Sequence, residues 1–566
     1  MSRKENILHA LWAKKSYREG CMQWLPLEVH MKDSAAVANR LWRSWIAHGI
    51  KETISQGTGD FVSAKKLFVF LSAVHDLGKA TPVFQAKTAR PQCRELDEQI
   101  EEKLRRAGLS MRSSCEFPHG GRTPHALATH VLLERSGCNK NVAAILSSHH
   151  GKPPSHTVLS QGSIEAHGFN YHLEGSEKAG WEKAQQSVIE MALELAGFSG
   201  LDDLPRPTMT AQVLLAGLLV MTDWIASNED CFPYLSLDDS GVGLDEEQRI
   251  NEAWEILGLS GPWEADANWH INDLCLERFG FTSNMLQKAV ADTVRDIEQP
   301  GIVVMEAPMG MGKTEAAMVC AEIFAAKSGR QGVFFALPTQ ATSDGIFPRM
   351  MEWARKLDTK EHTINLSHGK AQFNEMFQAL RSFEISANIG VDEEGGMFVH
   401  EWFLGAKKAL LADFVVGTID QLLLAALRQK HLMLRHLGLA GKVVVIDECH
   451  AYDAYMSQYL NRALNWLGAY GVPVIVLSAT LPADKRKSVV EAYLGRDFLP
   501  SQQTDPLAGL PLAEEETPAW IQNCEYPLIT YTDGTEIIQR TVPKEDRDRT
   551  VTVDQVVETD LVSLLN

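Results

Sequence analysis

Five short runs of β-branched and aromatic residues follow one another in the second half of this 566-residue sequence, and helix-like stretches separate them. The runs read GIVVMEAP, GVFFALPT, LLADFVVGTID, KVVVIDE and VPVIVLSAT. Strands that are apolar on both faces and alternate with helices form parallel sheets that helices cover on each side. We therefore predict an α/β domain with a parallel sheet over residues 273–496.

The first half of the sequence has a different hydrophobic period. Segments such as SAAVANRLWRSWIAHGI, PHALATHVLLERSG and AQVLLAGLLVMTDWIAS repeat apolar residues at helical spacing, and strand-like runs are scarce. Residues 237–272 are rich in Asp, Glu, Gly and Pro, which is typical of a linker. We expect a multidomain chain: an all-α domain over residues 1–236, a linker over 237–272, the α/β domain, and a tail over 497–566.

The charge balance and the apolar runs argue against several classes of protein. The sequence has 54 basic and 73 acidic residues and a net charge of −19, which does not suit a protein that coats nucleic acid without specificity. The longest apolar run near the middle, VLLAGLLVM, has half the length that crosses a bilayer, and the first residues lack the apolar core of a signal peptide. The nine cysteines include no Cys-x-x-Cys pair. We expect a cytoplasmic protein with no membrane partner and no thiolate zinc site.

A glycine-bearing loop between a predicted strand and a predicted helix indicates a nucleotide site. In VVMEAPMGMGKTEAAMVCAEIF, Gly310 and Gly312 let backbone N–H groups approach phosphate oxygens. Lys313 would neutralise the β- and γ-phosphates, and the Thr314 hydroxyl would hold Mg²⁺. The alternative, a chance Gly-Lys-Thr, is disfavoured because a strand precedes the loop and a helix follows it. ATP with Mg²⁺ is the expected cofactor.

The run VVVIDECHAYD supplies the second half of an ATP site. Asp447 ends an apolar strand, where a Mg²⁺-binding carboxylate belongs, and Glu448 can polarise the attacking water. The Asp-Glu-x-His order resembles the DEAD/DEAH helicase box. LPTQATSDGIF, VGTIDQLL and LSATLP each follow a strand and resemble helicase motifs that grip a single strand or couple hydrolysis to its movement. Gln287, with Phe281, is a candidate for adenine recognition, and a surface helix is the alternative.

The run LFVFLSAVHDLGKATPVF places an imidazole and a carboxylate, His75 and Asp76, at the end of a buried helix. A buried, unpaired carboxylate is costly, so this pair needs partners. Similar polar residues stand at apolar helices elsewhere in the helical domain, at His30, His125, His149, His150 and Asp223. Each alone is explained by a satisfied core polar group. Together, the five imidazoles and two carboxylates can meet around metal ions, and this donor set favours transition metals over Ca²⁺.

The order His, His-Asp, Asp resembles the HD superfamily of metal-dependent phosphohydrolases. The resemblance implies four core ligands, His30, His75, Asp76 and Asp223. It also implies a second metal held by His125, His149 and His150, with His119 as the rival to His125. The expected ions are two divalent metals of the manganese, iron, cobalt or nickel class, with Mg²⁺ as the alternative.

The same resemblance suggests catalytic roles for residues of the His-Asp segment. His75 and Asp76 are the expected catalytic residues of the metal site. Glu448 is the expected catalytic residue of the ATP site. Lys79, one turn after Asp76, faces the phosphate in one interpretation and is a solvated helix-end lysine in the other. His130 is expected to be structural.

Seven motifs in order resemble one family over roughly residues 5–530, the CRISPR-associated helicase–nucleases of type I systems. They are HDLGK, SHHG, EAPMGMGKTE, ALPTQAT, TIDQLL, DECHAYD and LSATLP, and their wording is nearest to the E subtype. The resemblance implies an HD nuclease domain fused to a RecA-like domain of a superfamily 2 helicase. It implies recruitment by a guide-RNA surveillance complex, metal-dependent endonucleolytic cleavage of the displaced single-stranded DNA, and ATP-driven 3′–5′ translocation.

Two other functions fit parts of the sequence. An HD nucleotide phosphohydrolase with a regulatory ATP domain would cleave mononucleotides and ignore polymers, and the DNA-gripping motifs argue against it. A non-catalytic, ATP-gated recruitment module would bind the surveillance complex without cleaving DNA, and the complete ligand set argues against that.

A translocating helicase of this class needs a second RecA-like lobe, which in the family supplies an arginine from a Gln-x-x-Gly-Arg-x-x-Arg-like motif. After Thr480 the only Gly-Arg pair is Gly495-Arg496, and it lacks the flanking pattern. The tail 497–566 is therefore expected to lead toward a second lobe that the chain lacks and that a separate polypeptide could supply. We expect this chain to nick single-stranded DNA, to hydrolyse ATP poorly and not to unwind a duplex.

Overall fold

The computed structural model describes residues 3–18, 20–88, 93–117, 119–151, 153–265, 273–358, 360–380, 397–405, 407–427, 429–496 and 518–543. Its first half is helical. The helices are Arg3–Ala10, Leu27–Ser44, His48–Thr58, Phe61–Val74, Pro82–Gln85, Arg94–Arg106, His125–Arg135, Lys140–Ser147, His156–Gln161, Ile164–His172, Lys178–Ala196 and Met209–Ala226. The predicted helical domain is confirmed, with one addition. Three strands, β1 (Trp12–Arg18), β2 (Cys21–Pro26) and β3 (Leu235–Ser236), form a small antiparallel sheet that the sequence pattern did not predict.

The second half is built on a large sheet with strand order β12-β11-β4-β10-β9-β5-β8-β6-β7 among the described residues. The strands are β4 (Pro300–Glu306), β5 (Val333–Leu337), β6 (His362–Ser367), β7 (Met397–Phe398), β8 (Phe414–Thr418), β9 (Val443–Ile446), β10 (Val474–Ser478), β11 (Leu528–Asp533) and β12 (Glu536–Thr541). From β4 to β7 the neighbours are parallel. All five apolar runs form strands of this sheet, as predicted.

Helices connect these strands and cover both faces of the sheet. They are Leu274–Phe279, Met285–Asp296, Lys313–Ser328, Gln340–Ala354, Asp420–Leu423, Leu432–Ala440, Ala454–Ala469, Ala483–Tyr493 and Ala519–Gln522. Because the strands run parallel, their carboxyl ends lie at one edge of the sheet, where ligands bind in folds of this kind. The phosphate loop after β4 and the acidic box after β9 therefore share that edge.

One buried strand, β6, was missed because its sequence, HTINLS, is polar. The buried Asp413 carboxylate accepts hydrogen bonds from the Thr363 backbone N–H at 2.9 Å and from its hydroxyl at 2.7 Å. The Asn365 side chain donates to the Phe403 carbonyl at 3.2 Å. Polar side chains enter this core because distant residues satisfy them, and a pattern of hydrophobicity does not record such pairs.

The sheet extends beyond the boundary predicted at residue 496. Strand β11 pairs antiparallel with β4, and β12 pairs with β11. The buried Arg486 guanidinium forms an ion pair with Glu306 on β4, at 2.6 and 3.1 Å, and donates to the Asn523 carbonyl at 3.0 Å. Residues 518–543 are thus part of the α/β domain, while 497–517 and 544–566 of the predicted tail lie outside the described residues.

The predicted linker is also partly structured. It contains the helix Glu246–Leu257, and residues 266–272 lie outside the described part of the chain. Arg249 of this helix forms a two-pronged ion pair with the buried Asp33, with N–O distances of 2.8 and 3.1 Å. This pair fixes the helix to the helical domain.

The helix Met209–Ala226 lies at the centre of the helical domain. By length and composition it could cross a membrane, but 72% of the apolar window is buried inside the protein. A core helix of this kind meets the same criteria. Its Gly217 is in tight contact with helix Leu432–Ala440, because a Cβ added at Gly217 would lie 2.6 Å from the Met433 carbonyl oxygen. This contact joins the helical domain to the α/β domain.

Candidate metal centre and nucleotide site

The His-Asp pair lies at a tight turn after the helix Phe61–Val74. The Thr129 hydroxyl donates to the His75 carbonyl and accepts from the Gly78 N–H, both at 2.9 Å, which fixes the turn to the neighbouring helix. Gly78 is required for this approach, since an added Cβ would lie 2.0 Å from the His125 carbonyl oxygen. The turn therefore brings Asp76 and His125 together.

Two groups of possible ligands meet here, each with three donor atoms that lie within 4.8 Å of one another. The first group is His30, His75 and Asp223, and the second is His125, His149 and His150. Helices of the first domain supply His30 and Asp223, and helix ends supply the rest. All seven residues singled out in the sequence thus lie in one place, with Asp76 between the groups.

Asp76 contacts both groups. Its Oδ2 lies 3.2 Å from His30 Nε2 and 3.4 Å from His75 Nε2. Its Oδ1 lies 3.5 Å from His125 Nε2. The carboxylate is therefore placed to serve ions in both groups, as a bridging ligand would.

The hydrogen bonds of the histidines leave ring nitrogens available for ligation. Nδ1 of His75 donates to the Ser72 carbonyl at 2.8 Å, and Nδ1 of His149 donates to the Leu146 carbonyl at 2.5 Å. The Nε2 atoms of both rings, and both ring nitrogens of His30, are buried without a hydrogen-bond partner among the described residues. Buried polar atoms rarely lack partners, so the arrangement fits metal ions.

The titration of these groups also suits a metal centre. Burial lowers the pKa of His30 and of His149 to about 4, and that of His125 to about 3, so these rings are neutral at pH 7. Burial alone would raise the pKa of Asp76, but the positive charges of Lys79 and His75 outweigh it and hold that pKa well below its usual range. Neutral imidazoles and an ionised carboxylate are the forms that bind metal.

Lys79 is buried and lies next to Asp76. It is 6% exposed, and its ammonium lies 2.5 Å from Asp76 Oδ2, so the interpretation as a solvated lysine is wrong. His119 is exposed and lies beside His167, outside both ligand groups, whereas His125 is within one. His130 bonds Ser147 and lies 3.4 Å from Glu134, as expected of a structural residue.

The sequence pattern missed one residue that holds a candidate ligand. The Ser227 hydroxyl donates to Asp223 Oδ1 at 2.9 Å, and the Lys14 ammonium on β1 donates to the Ser227 carbonyl at 3.3 Å. Only the spacing of four residues after Asp223, one helical turn, could have suggested Ser227. Lys14 is more than 200 positions away, and no local signal indicates its contact.

The phosphate loop joins β4 to the helix Lys313–Ser328. Gly310 and Gly312 have φ angles of 78° and 71°, a region that residues with a Cβ rarely adopt. The Lys313 ammonium donates to the loop's own carbonyls at Ala307 and Pro308, at 2.7 and 3.1 Å. Those bonds hold it over the loop, where a nucleotide phosphate would be bound.

The acidic box follows β9 at the same edge of the sheet. Burial, and then the charge of Glu448, raises the pKa of Asp447 to about 6, which a bound divalent cation would reverse. Glu448 has a φ of 51°, an uncommon conformation for a non-glycine residue. His450 lies 3.2 Å from the Ser478 hydroxyl of the LSATLP motif, which connects two of the helicase-like motifs.

Gln287 is buried rather than on a surface helix. Its side-chain oxygen accepts from the Asn284 N–H at 3.0 Å, and its amide donates to the Gly312 carbonyl at 3.3 Å. Gln287 therefore supports the phosphate loop, and its contact with adenine stays a prediction. Phe281 is 42% exposed and stacks on Phe279.

Comparison with known proteins agrees with this architecture. The family model described as "Cas3, HD domain" matches residues 12–232, and the model described as "DEAD/DEAH box helicase" matches residues 285–489. The CRISPR-associated nuclease/helicase Cas3 of Streptococcus thermophilus is 40% identical over 572 residues, which cover 99% of this chain and 60% of that protein. The chain is a homologue of the Cas3 nuclease/helicases.

Solved Cas3 structures have the same fold. T. fusca Cas3 with ATP superimposes with a TM-score of 0.73 at 28% identity, covering 98% of this chain and 60% of that one. A chain in a structure titled "CRISPR RNA-guided surveillance complex, pre-nicking" gives a TM-score of 0.62 at 26% identity, covering 98% and 58%. The Cas3 homologue described here thus spans about three-fifths of the length of these relatives. Its two domain types imply metal ions and ATP with Mg²⁺ as cofactors.

Proposed function

We propose that this Cas3 homologue is a metal-dependent endonuclease for single-stranded DNA that acts in CRISPR interference. The observation that carries the proposal is the pair of three-ligand groups that share Asp76. Two adjacent metal ions can stabilise both the attacking and the leaving oxygen when a phosphodiester is hydrolysed. Imidazole with carboxylate fits ions of the manganese, iron, cobalt or nickel class, with Mg²⁺ as the alternative.

Residues of the chain would have separate roles at this metal centre. Metal ions, when bound, supply Lewis-acid stabilisation and an activated water. Asp76 would be a ligand common to both groups, since its Oδ2 lies near Nε2 of His30 and of His75 and its Oδ1 lies near Nε2 of His125. Lys79 forms an ion pair with Asp76, and its ammonium would be the cation within reach of a substrate phosphate oxygen. Ser227 fixes the orientation of Asp223 by its hydrogen bond.

The nucleotide site serves translocation in this proposal. Lys313 and Thr314 bind the phosphates and Mg²⁺, Asp447 binds the same cation, and Glu448 orients the attacking water. The ends of β5 and β8 carry the two strand-gripping motifs, and they lie side by side because Leu337 pairs with Thr418. In this proposal these parts drive the movement of DNA in the 3′–5′ direction.

The expected partners are displaced single-stranded DNA and a guide-RNA surveillance complex in the cytoplasm. The similarity to a chain in a surveillance-complex structure supports this assignment. Because guide pairing selects the target, the protein need not read bases. Its strand contacts are then expected to be electrostatic and stacking contacts, which tolerate any sequence.

The test is digestion of circular single-stranded DNA with added Mn²⁺ and no ATP. We expect cleavage by the chain, and loss of cleavage in Asp76→Ala, since removal of one ligand or its support lowers metal occupancy roughly 10- to 100-fold or more. Asp202→Ala, at an exposed position of the same domain, is the matched control. A folded Asp76→Ala variant that cleaves like the unmodified chain would contradict the metal assignment.

The same assay separates the alternatives. Hydrolysis of mononucleotides without cleavage of circular DNA would favour the HD nucleotide phosphohydrolase. Binding of the surveillance complex without hydrolysis of either substrate would favour the recruitment module.

A further inference from the structure

The helical domain has a second group of metal-ligating residue types, in a cavity of about 650 Å³ that none of the seven residues of the metal centre lines. Three histidines and three glutamates line this cavity, and they are His119, His167, His172, Glu116, Glu165 and Glu174. His119 is the residue that the sequence offered as the rival to His125. Its place outside the metal centre leaves the purpose of this histidine open.

Two of the three imidazoles face each other. The ring centroids of His119 and His167 are 5.7 Å apart, and their planes cross at 53°. Two imidazoles that bind one Zn²⁺ ion at about 2.0–2.1 Å, at tetrahedral angles, have centroids roughly 5–6 Å apart. The ring nitrogens of both form no hydrogen bond within the described residues. His172 differs, because its Nδ1 donates to the Leu173 carbonyl at 3.0 Å and its Nε2 accepts from Arg135 at 3.2 Å.

Buried contacts fix the segment of His119 to the helix that carries His167. The Asn170 side chain of that helix is 4% exposed and donates to the His119 carbonyl at 3.3 Å. The rings of Phe117 and Phe169 pack together, with centroids 5.3 Å apart. The two histidines are thus held on backbone that is already ordered, which lowers the entropic cost of binding an ion between them.

One carboxylate at the cavity has no other partner. Glu116 accepts from the Ser113 N–H at 2.8 Å, and Glu165 is hydrogen-bonded at the start of its own helix. The exposed Glu174 carboxylate forms no hydrogen bond or ion pair in the part of the chain that the structure describes. Among those residues, the groups with three donors already within 4.8 Å of one another belong to the metal centre. A third ligand therefore reaches this histidine pair by rotation of an exposed side chain, which Glu174 is free to make.

We propose that His119, His167 and Glu174 form an outer metal site that binds one divalent ion of the zinc, nickel or copper class, with water completing the coordination. The ion cross-links the helix that carries His167 to the segment that leads into the helix His125–Arg135. It therefore braces the chain just before a ligand of the metal centre. The outer metal site is independent of the proposed nuclease activity, because the two sites share no residue.

The experiment counts bound ions. The full chain is dialysed to equilibrium against low micromolar Zn²⁺, and bound zinc is measured by mass spectrometry. His119→Gln and His167→Gln should each bind one ion fewer per chain than the unmodified protein. His156→Gln, at an exposed position of the same domain, is the matched control and should lose none. Each result is a difference from the unmodified chain, so it has the same meaning whether or not the metal centre is filled.

The third ligand is tested in the same dialysis. Glu174→Gln should lower the affinity for this ion roughly 10-fold or more, as expected for the loss of a group that ligates or supports a metal. Glu194→Gln, at another exposed glutamate of the helical domain, is its control.

A second measurement needs no variant. Diethyl pyrocarbonate modifies accessible imidazoles of the unmodified chain, and peptide mass spectrometry gives the rate at each histidine. Zn²⁺ should slow the modification of His119 and His167 several-fold and leave that of His156 unchanged. Equal zinc contents in the unmodified chain, His119→Gln and His167→Gln, or modification rates at these two histidines that Zn²⁺ does not alter, would overturn the proposal.

Discussion

At the scale of single residues, burial dominates the titration of the histidines around Asp76. It depresses the pKa of His30, His125 and His149 to between about 3 and 4. The unfolded chain, with ordinary histidines, binds more protons than the folded chain between pH 6.5 and about 4. For these three groups, the free energy of unfolding therefore falls as the pH is lowered through that window. His75 opposes the trend, because Asp76 and Asp223 outweigh burial and raise its pKa.

We therefore expect the metal-free chain to have a lower melting temperature at pH 5 than at pH 7. Within the metal centre four histidines act in this direction, because burial also lowers the pKa of His150, and His75 acts against it. Thermal unfolding followed by circular dichroism across this range measures the effect. His30→Gln should weaken the pH dependence, whereas His156→Gln, at an exposed position, should leave it unchanged. A melting temperature that rises on acidification would show that burial does not control these groups.

At the scale of secondary-structure elements, the contact between the His-Asp turn and the helix His125–Arg135 sets the geometry of the metal centre. The HDLGK sequence needs glycine at position 78 because the backbone of the neighbouring helix comes so close. The hydrogen bonds of Thr129 hold the turn against that helix. Packing between these two elements, as much as the ligands themselves, places Asp76 beside His125.

Gly78→Ala should displace the turn and separate Asp76 from His125. Steric overlap of this kind costs roughly 1–3 kcal/mol of stability, and Mn²⁺ affinity should fall with it. Gly121→Ala is the control, because an added Cβ there meets no atom within 4 Å. Denaturant unfolding and a Mn²⁺ titration give the two quantities, and unchanged values for Gly78→Ala would contradict the steric argument.

The phosphate loop is a second element whose function can be tested alone. Lys313→Ala should weaken ATP binding roughly 10- to 100-fold, the effect of losing a charged hydrogen bond worth ~1.5–3 kcal/mol. Nicking of single-stranded DNA should persist, because the two sites lie in different domains. Titration with a fluorescent ATP analogue measures affinity, and Lys288→Ala, at an exposed lysine of the helix Met285–Asp296, is the control. Loss of both activities in a well-folded variant would contradict two separate sites.

At the scale of the whole molecule, local patterns predicted the elements better than their long-range contacts. The apolar runs predicted five strands, and polar residues in apolar helices indicated the cluster around Asp76. The polar strand β6 and the sheet extension by β11 and β12 were not predicted. Each depends on partners far apart in the chain, and periodicity within a window of residues contains no record of them.

The tight contact at Gly217 limits how this protein can be rearranged by recombination. At this contact the helix Met209–Ala226, which carries Asp223, packs directly on the helix Leu432–Ala440. The second helix is followed by β9 and then by Asp447. An inserted residue in either helix would rotate the following side chains by about 100° and replace the glycine at this contact. Neither domain can therefore be replaced independently of the other. A nuclease domain from a distant relative could be grafted onto this motor only if the motor's matching surface were transferred with it.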